Sequence, residues 1–208
     1  MIRKLKIFSM ATAATLALVA VSASAVSAAE FHTGIVYPIS GSQTAAENDV
    51  TTFTAGTVKC ATIVYTGELK TETSSTLTLA PSFSDCTAFT FVKTSIDTNG
   101  CEYVFHAGGE GSMDIVCPAG KSIVVTAFNC EVTIGPQTLK SVSYANEEAE
   151  GSRDIKINMN LTGLSYTQHS KSFPGCAANG TNPFSNGTTK GEITLNAGAP
   201  EAAGIWYE

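Results

Sequence analysis

Asp154-Ile155-Lys156-Ile157-Asn158-Met159-Asn160-Leu161 is the stretch that decides the fold class of this chain. Apolar residues stand at every second position, with polar residues between them. Because successive side chains of a β-strand point to opposite faces, this alternation predicts a half-buried strand, whereas an amphipathic helix needs a period of about 3.6 residues. Asn129–Ile134 repeats the pattern, with Cys130, Val132 and Ile134 predicted on the buried face.

Similar but shorter segments recur along the chain, separated by Gly, Pro, Asn and Asp, which is the pattern of strands and turns. The further predicted strands are Val58–Tyr65, Thr76–Ala80, Phe89–Val92, Ser122–Phe128, Leu139–Tyr144, Leu164–Tyr166 and Glu192–Leu195. Beyond a turn at Thr44–Asn48, no helical stripe follows the N-terminal segment. About ten antiparallel strands in one domain predict an all-β fold, a single antiparallel β-sandwich with a barrel as the second choice.

Residues 1–28 predict a secretory signal peptide. Arg3, Lys4 and Lys6 precede the uncharged run Ile7–Val21, and small residues at 23–28 offer cleavage sites. A transmembrane anchor is the alternative reading. The apolar run is shorter than the roughly 20 residues that span a bilayer, which favours cleavage.

Cleavage after Ala28 would leave one secreted extracellular domain, residues 29–208, free of a membrane anchor. Nine of the twelve Lys and Arg residues would then face eighteen acids, a net charge near −9. Nucleic acids and anionic membranes attract proteins of the opposite charge, so neither is expected as a partner. The partner is unknown on this evidence, with an envelope glycan or an envelope protein as the classes to consider.

Six cysteines, all downstream of the signal, predict a disulfide-stapled fold in an oxidising compartment. The segment Cys101–Cys117 reads as a hairpin about Gly109, which would place Phe105 opposite Met113 and Cys101 opposite Cys117. Directly opposed residues of a non-hydrogen-bonded pair lie within disulfide range. We therefore predict a Cys101–Cys117 bridge, the alternative being two buried thiols that face each other.

The other four cysteines allow three pairings. Cys60–Cys86 together with Cys130–Cys176 is preferred, partly on a faint internal echo in which Ser-Phe-x-x-Cys ends at Cys86 and again at Cys176. The remaining two pairings stay open at this point.

Three stretches carry a resemblance: Cys101-Glu102-Tyr103-Val104-Phe105, Cys117-Pro118-Ala119-Gly120-Lys121-Ser122-Ile123 and Cys130-Glu131-Val132-Thr133-Ile134-Gly135-Pro136-Gln137. The order and spacing of their cysteines, and the strand-like alternation between them, resemble those of a group of secreted bacterial β proteins to which no activity is assigned. The likeness runs from about Cys60 to Cys176. It implies export and β structure, and it implies no chemistry.

Patterns of known chemistry are missing from the sequence. His32, His106 and His169 are far apart with no metal-ligand spacing, and there is no Gly-x-Ser-x-Gly motif. No cofactor and no catalytic residue is therefore assigned. The acidic stretch with Glu147, Glu148, Glu150 and Asp154 is the first place to look for calcium, which favours clustered carboxylates, although a charged, solvated hairpin connection is the default interpretation.

Three functions remain to be weighed. The first is a secreted, non-catalytic binding or structural module of the cell envelope, acting through loops or a sheet face. The alternative is a secreted hydrolase with an unrecognised active site, whose turnover would depend on His106 or His169. An inhibitor of a secreted enzyme is the third.

Overall fold

The computed structural model of the chain describes residues 28–34, 38–44, 50–89, 91–149, 152–176, 182–197 and 204–208. The predicted signal peptide, except for residue 28, and positions 45–48 of the predicted turn lie outside these ranges. The described residues form fifteen strands and no helix: β1 Phe31–Thr33, β2 Pro38–Thr44, β3 Val50–Phe53, β4 Gly56–Glu68, β5 Thr73–Ser74, β6 Thr76–Ala88, β7 Val92–Asp97, β8 Glu102–His106, β9 Gly111–Val116, β10 Ile123–Ala127, β11 Cys130–Ile134, β12 Gln137–Ala149, β13 Ser152–Ser170, β14 Phe184–Ala197 and β15 Ile205–Tyr207. Accordingly, a helix able to cross a bilayer is not found in these ranges.

Four long strands, β4, β6, β13 and β14, take part in the pairing at both ends of the main sheet. Every ladder in this sheet is antiparallel. At one end the ladders run β6-β8-β9-β12-β13-β14-β2-β4 and return from β4 to β6, which we call the first ring. At the other end they run β6-β7-β10-β11-β13-β14-β3-β4 and again return to β6, the second ring. The sheet therefore closes on itself at both ends, and its inner face forms one core.

The period-two pattern is what fills this core. Ile155, Ile157, Met159 and Leu161 on β13 are all at most 5% exposed, as the alternation predicted. The alternation of β11 likewise buries its three predicted inward residues. The all-β, antiparallel, disulfide-stapled prediction is confirmed.

Strand boundaries differ most from the predicted ones in three places. The predicted strand Phe89–Val92 is wrong: Phe89 and Phe91 are turn residues, and β7 begins only at Val92. The two strands predicted at Asp154–Leu161 and Leu164–Tyr166 are parts of the single strand β13, because a bulge at Gly163 (φ 75°) lets the ladder with β14 shift register and continue. Strand β14 begins at Phe184 rather than at Glu192, although residues 184–191 are rich in the polar residues and Gly that usually mark loops. Pairing with both β13 and β3 holds this polar stretch in the sheet.

A separate three-stranded sheet, β15-β1-β5, packs at the end of the first ring. Phe31 and Ile205 are fully buried there, and the Phe31 ring meets the Tyr144 ring edge-on at 5.0 Å. The Tyr144 hydroxyl donates to the carbonyl of His106 at 2.9 Å. Burial raises the pKa of Tyr144, which favours the protonated hydroxyl that donates this hydrogen bond. Apolar packing thus closes this end of the molecule.

Three disulfides staple the strands: Cys60–Cys86, Cys101–Cys117 and Cys130–Cys176. These are the pairings that the sequence favoured, and the β8–β9 hairpin has the expected register, with Phe105 opposite Met113. Cys60 and Cys86 are direct partners in the β4–β6 ladder. Three bridges and no free cysteine indicate a non-reducing compartment.

Side-chain amides extend the ladders where strand pairing stops. Gln137 accepts a hydrogen bond from Ser165 N at 2.7 Å and donates to Ser165 O at 2.9 Å. Asn146 does the same for the backbone of Tyr207, both at 2.8 Å, and Asn182 for the backbone of Gln168, at 2.9 and 2.7 Å. A carboxamide carries one acceptor and one donor side by side, as a peptide unit does, so each side chain replaces a missing rung of the sheet.

Candidate functional site

The interior offers little room for a ligand. A cavity of about 50 Å³ lies between the two rings, lined by apolar and aromatic side chains that include Tyr65, Tyr103, Met113 and Met159. Sites for small molecules are typically about 300–1,000 Å³. This cavity is therefore a packing void of the core and not the site of a drug-sized ligand.

A polar cleft of about 380 Å³ opens on the outside of the first ring. Hydroxyl groups, Glu68, Glu102 and Lys70 line it, and none of the described lining residues is aromatic. Stacking on an aromatic ring is a common source of affinity at polar surfaces. The cleft lacks that contribution among the described residues and carries no functional argument here.

The histidines singled out on the sequence lie in different places. His106 Nε2 contacts Asp114 Oδ2 at 2.8 Å on the outer face of β8 and β9. A hydrogen bond with Thr138 is the main cause that lowers the pKa of Asp114 below its ordinary 3.8; burial opposes it, and the His106 contact adds to it. Among the described residues, no hydroxyl or thiol hydrogen-bonds the His106 ring, as a nucleophile would.

His169 lies on β13 in the second ring, paired with Glu131 of β11, so the fold does not bring it to His106. His32 stacks on Trp206 at 5.5 Å, and the Arg153 guanidinium lies 4.9 Å from the same ring. These contacts hold the C-terminal strand β15 against the molecule. The three histidines thus occupy three separate environments.

The predicted calcium stretch is only partly described. Glu150 lies outside the described residues, and for Glu148 the backbone alone is described. The Glu147 carboxylate pairs with the Lys156 ammonium, and Glu147 and Asp154 are ladder partners. In the part of the chain that the structure describes, no three metal-ligating side chains come together. Calcium at this loop stays a prediction.

The surface feature that stands out is a group of exposed phenylalanines at the end of the second ring. Phe91 is 83% exposed, Phe128 69% and Phe173 97%. We call these three residues the phenylalanine tips. Phe89, 42% exposed, lies at their base, where its ring packs close to Gly56 of the neighbouring turn.

Ladder registers bring the three tips together. Ala127 pairs with Thr94, which sets the turn that holds Phe128 beside the turn that holds Phe91. The loop with Phe173 is fixed to the Phe128 turn, because Lys171 N donates to Asn129 O at 2.8 Å and Asn129 Nδ2 donates to Pro174 O at 3.2 Å. Three separate segments of the chain therefore present phenylalanines at one end of the molecule.

The fold does not require a phenylalanine at position 128. Phe128 is at the tip of a two-residue turn with φ of 52°, a left-handed conformation that Asn and Gly adopt at lower cost than a bulky residue. Its ring remains 69% exposed, so packing does not repay that cost. An exposed aromatic side chain in a strained turn is the kind of feature that marks a functional surface.

Comparison of the chain with protein-family models, with curated proteins and with solved structures finds no match in any of the three. The resemblance to secreted bacterial β proteins therefore stays a prediction.

The sequence patterns do not predict the phenylalanine tips. Phe91 lies inside the predicted strand Phe89–Val92, Phe128 ends the predicted strand Ser122–Phe128, and Phe173 belongs to the echo around the cysteines. A usable signal was present, since Phe128 immediately precedes Asn129 between two apolar strands, where a turn and hence exposure can be expected. The proximity of the three residues had no such signal.

Proposed function

We propose that this chain is a secreted, non-catalytic binding module of the cell envelope and that the phenylalanine tips are its contact surface. The observation that carries the proposal is Phe128. It is a largely exposed aromatic residue in a left-handed conformation, and its packing does not offset the conformational cost. Export through residues 1–28 is part of the proposal, supported by the signal-like sequence and by three disulfides.

Exposed apolar groups of this size are uncommon on a free surface. Of the six exposed large hydrophobic residues in the described part of the chain, Phe89, Phe91, Phe128 and Phe173 lie at this one end. Burial of a phenylalanine side chain away from water is worth about 1.5–3 kcal/mol. Three such side chains, presented side by side, can supply most of the affinity of a moderate interface.

The test compares binding to envelopes prepared from the exporting host. The variant Phe91→Ser/Phe128→Ser/Phe173→Ser should lose binding by at least about tenfold per residue. The control Val64→Ser/Val116→Ser removes exposed apolar side chains elsewhere, 40% and 46% exposed, and should bind as the wild type does. Urea midpoints establish that both variants are folded. Equal binding by the tip variant and the wild type would refute the assignment of this surface.

The export component has a separate readout. Intact-mass and peptide-mapping measurements on the exported protein should give a mature N-terminus near Ala29 and six cysteine hydrogens missing. A retained N-terminal segment would contradict the cleavage, and free thiols would contradict the compartment.

A further inference from the structure

We infer that the partner of the phenylalanine tips is an anionic lipid bilayer, with the tips inserted among the lipids and a row of lysines behind them facing the headgroups. This inference rests on the proposed function and names the partner of the same surface. It is carried by a second observation, the arrangement of positive charge around the second ring.

Three lysines line up across the outer face of the second ring. Val50 of β3 pairs with Lys190 on one side and with Lys59 on the other. Thr87 of β6 pairs in the same way with Lys59 and with Lys93. Ladder partners point to the same face, and Lys59, Lys93 and Lys190 are all exposed. We call these three residues the lysine row. The three lysines come from three strands, β4, β7 and β14, that the ladder brings onto one face.

The lysine row begins close behind the tips and leads away from them. Lys93 is two residues from Phe91, about 7 Å at roughly 3.3 Å per residue, whereas Lys190 pairs with Asn160 of β13, ten residues before Ser170 at the tip end. The spacing of Lys93 is within the Debye length of about 8–10 Å at physiological ionic strength, so inserted tips would bring its ammonium group into the field of the headgroups. Long lysine side chains also keep their charge at the interface while their stems cover apolar surface.

The acids beside the lysine row and the tips are few. Glu131 is paired with Lys171 at 2.8 Å, and Glu192, two residues from Lys190, is paired with Lys156 at 3.4 Å. Asp85 and Asp97 each lie six residues from Phe91 in the chain. Within the described residues, none of the lysine row takes part in an ion pair. Glu68, Glu72 and Glu110 lie at the opposite end, around the three-stranded sheet. In the described part of the chain, Lys59 and Lys93 are therefore unpaired cations behind the tips, although the net charge of the protein is negative.

The chemistry of the surface favours lipid over protein. Hot spots of protein interfaces are enriched in Trp, Tyr and Arg, and lysine is depleted from them. This surface instead combines phenylalanines with lysines. It also projects as separate tips, which suits insertion between lipids. Apolar insertion together with lysine charge is the pairing of signals that gives stable attachment to an anionic membrane.

The experiment measures partitioning of the full mature protein to vesicles of phosphatidylcholine and phosphatidylglycerol in equal parts, with pure phosphatidylcholine vesicles beside them. Binding to the anionic vesicles should fall about fivefold for Lys93→Gln and progressively less for Lys59→Gln and Lys190→Gln, and should weaken as salt is raised. The matched control Lys70→Gln/Lys121→Gln/Lys140→Gln removes the same charge elsewhere and should bind as the wild type does.

Insertion has its own readout. Trp206, the single tryptophan, lies in β15 at the end opposite the tips, so brominated lipids should not quench its fluorescence. The variant Phe128→Trp adds a tryptophan at a tip, whose fluorescence these lipids should quench.

Failure of the lipid inference can be told apart from failure of the proposed function. If the tips are needed for binding to envelopes while anionic vesicles are not bound, the proposed function stands and the lipid partner is refuted. Loss of envelope binding after protease treatment of the envelopes would then identify a protein partner. Equal loss of vesicle binding in the lysine-row variant and in its control would refute the role of the lysine row.

Discussion

The Gln137 side chain should be worth about 1–2 kcal/mol to the stability of the fold, because it supplies a rung that the main sheet lacks. In β13, Ser165 lies between the part that pairs with β12 and the part that pairs with β11. Gln137 fills this break with hydrogen bonds of 2.7 Å from Ser165 N and 2.9 Å to Ser165 O. A hydrogen bond contributes about 0.5–1.5 kcal/mol net, and water reaches this outer face, so two bonds fall in the lower half of their summed range.

Urea unfolding of Gln137→Ala measures this contribution. With a slope of about 2–3 kcal/mol per M, a loss of 1–2 kcal/mol lowers the midpoint by about 0.5 M. Hydrogen exchange gives the local readout, since the Ser165 amide loses its acceptor and should exchange faster than the flanking ladder amides. Unchanged exchange at Ser165 together with an unchanged midpoint would refute the account of Gln137 as a replacement rung.

A charge variant sharpens the test. Gln137→Glu keeps an acceptor for the Ser165 N–H but sets a carboxylate oxygen against the Ser165 carbonyl. At neutral pH it should therefore be at least as unstable as the alanine variant. Protonation of the glutamate, whose ordinary pKa is about 4.3, restores a donor, so its deficit relative to the wild type should shrink in acid. A deficit independent of pH would contradict the assigned geometry.

Three further outcomes follow from the structure. Gly67→Ala should destabilise the protein by a few kcal/mol, because the new Cβ would lie 2.2 Å from a carbonyl oxygen of β6, whereas Gly135→Ala meets nothing within 4 Å and should be close to neutral in urea unfolding. Removing the Cys130–Cys176 bridge, with 46 residues of separation, should cost about 1 kcal/mol more than removing the Cys101–Cys117 bridge, with 16, when paired Cys→Ala variants are compared. Hydrogen bonding to Thr138 holds the pKa of Asp114 below 3.8, so the stabilisation by its carboxylate is complete above the unfolded pKa and disappears as pH falls through the folded pKa. Asp114→Asn should therefore be less stable than the wild type at neutral pH, and the difference should disappear as the pH is lowered through the folded pKa.

Local pattern was enough to predict much of the fold. Successive residues of Asp154–Leu161 face opposite sides of a strand, so their alternation fixed both the element and its buried face before any contact was known. The β8–β9 hairpin followed in the same way, because its two halves are joined by a short glycine-rich turn and one register places Phe105 opposite Met113. The polar residues at the start of β14 show no alternation that would predict a strand. They lie in the sheet because they pair with β13 on one side and with β3 on the other.

The candidate site could not be predicted to the same extent. The sequence predicted an oxidising compartment and contained no recognised catalytic motif, and its net charge predicted that the chain would not bind anionic surfaces. That expectation used net charge alone, whereas a surface a few ångströms away responds to the charges within a Debye length of it.

By itself, then, the amino-acid sequence determined the β class, the half-buried strands and the oxidised cysteines, because each depends on residues that are close in the chain or on composition. Only the tertiary structure decided that the ladders close into two rings, that Phe91, Phe128 and Phe173 share one end, and that Lys59, Lys93 and Lys190 form one row. These features arise from pairing between strands that are far apart in sequence, and the register of such pairing is set by the packing of the whole core.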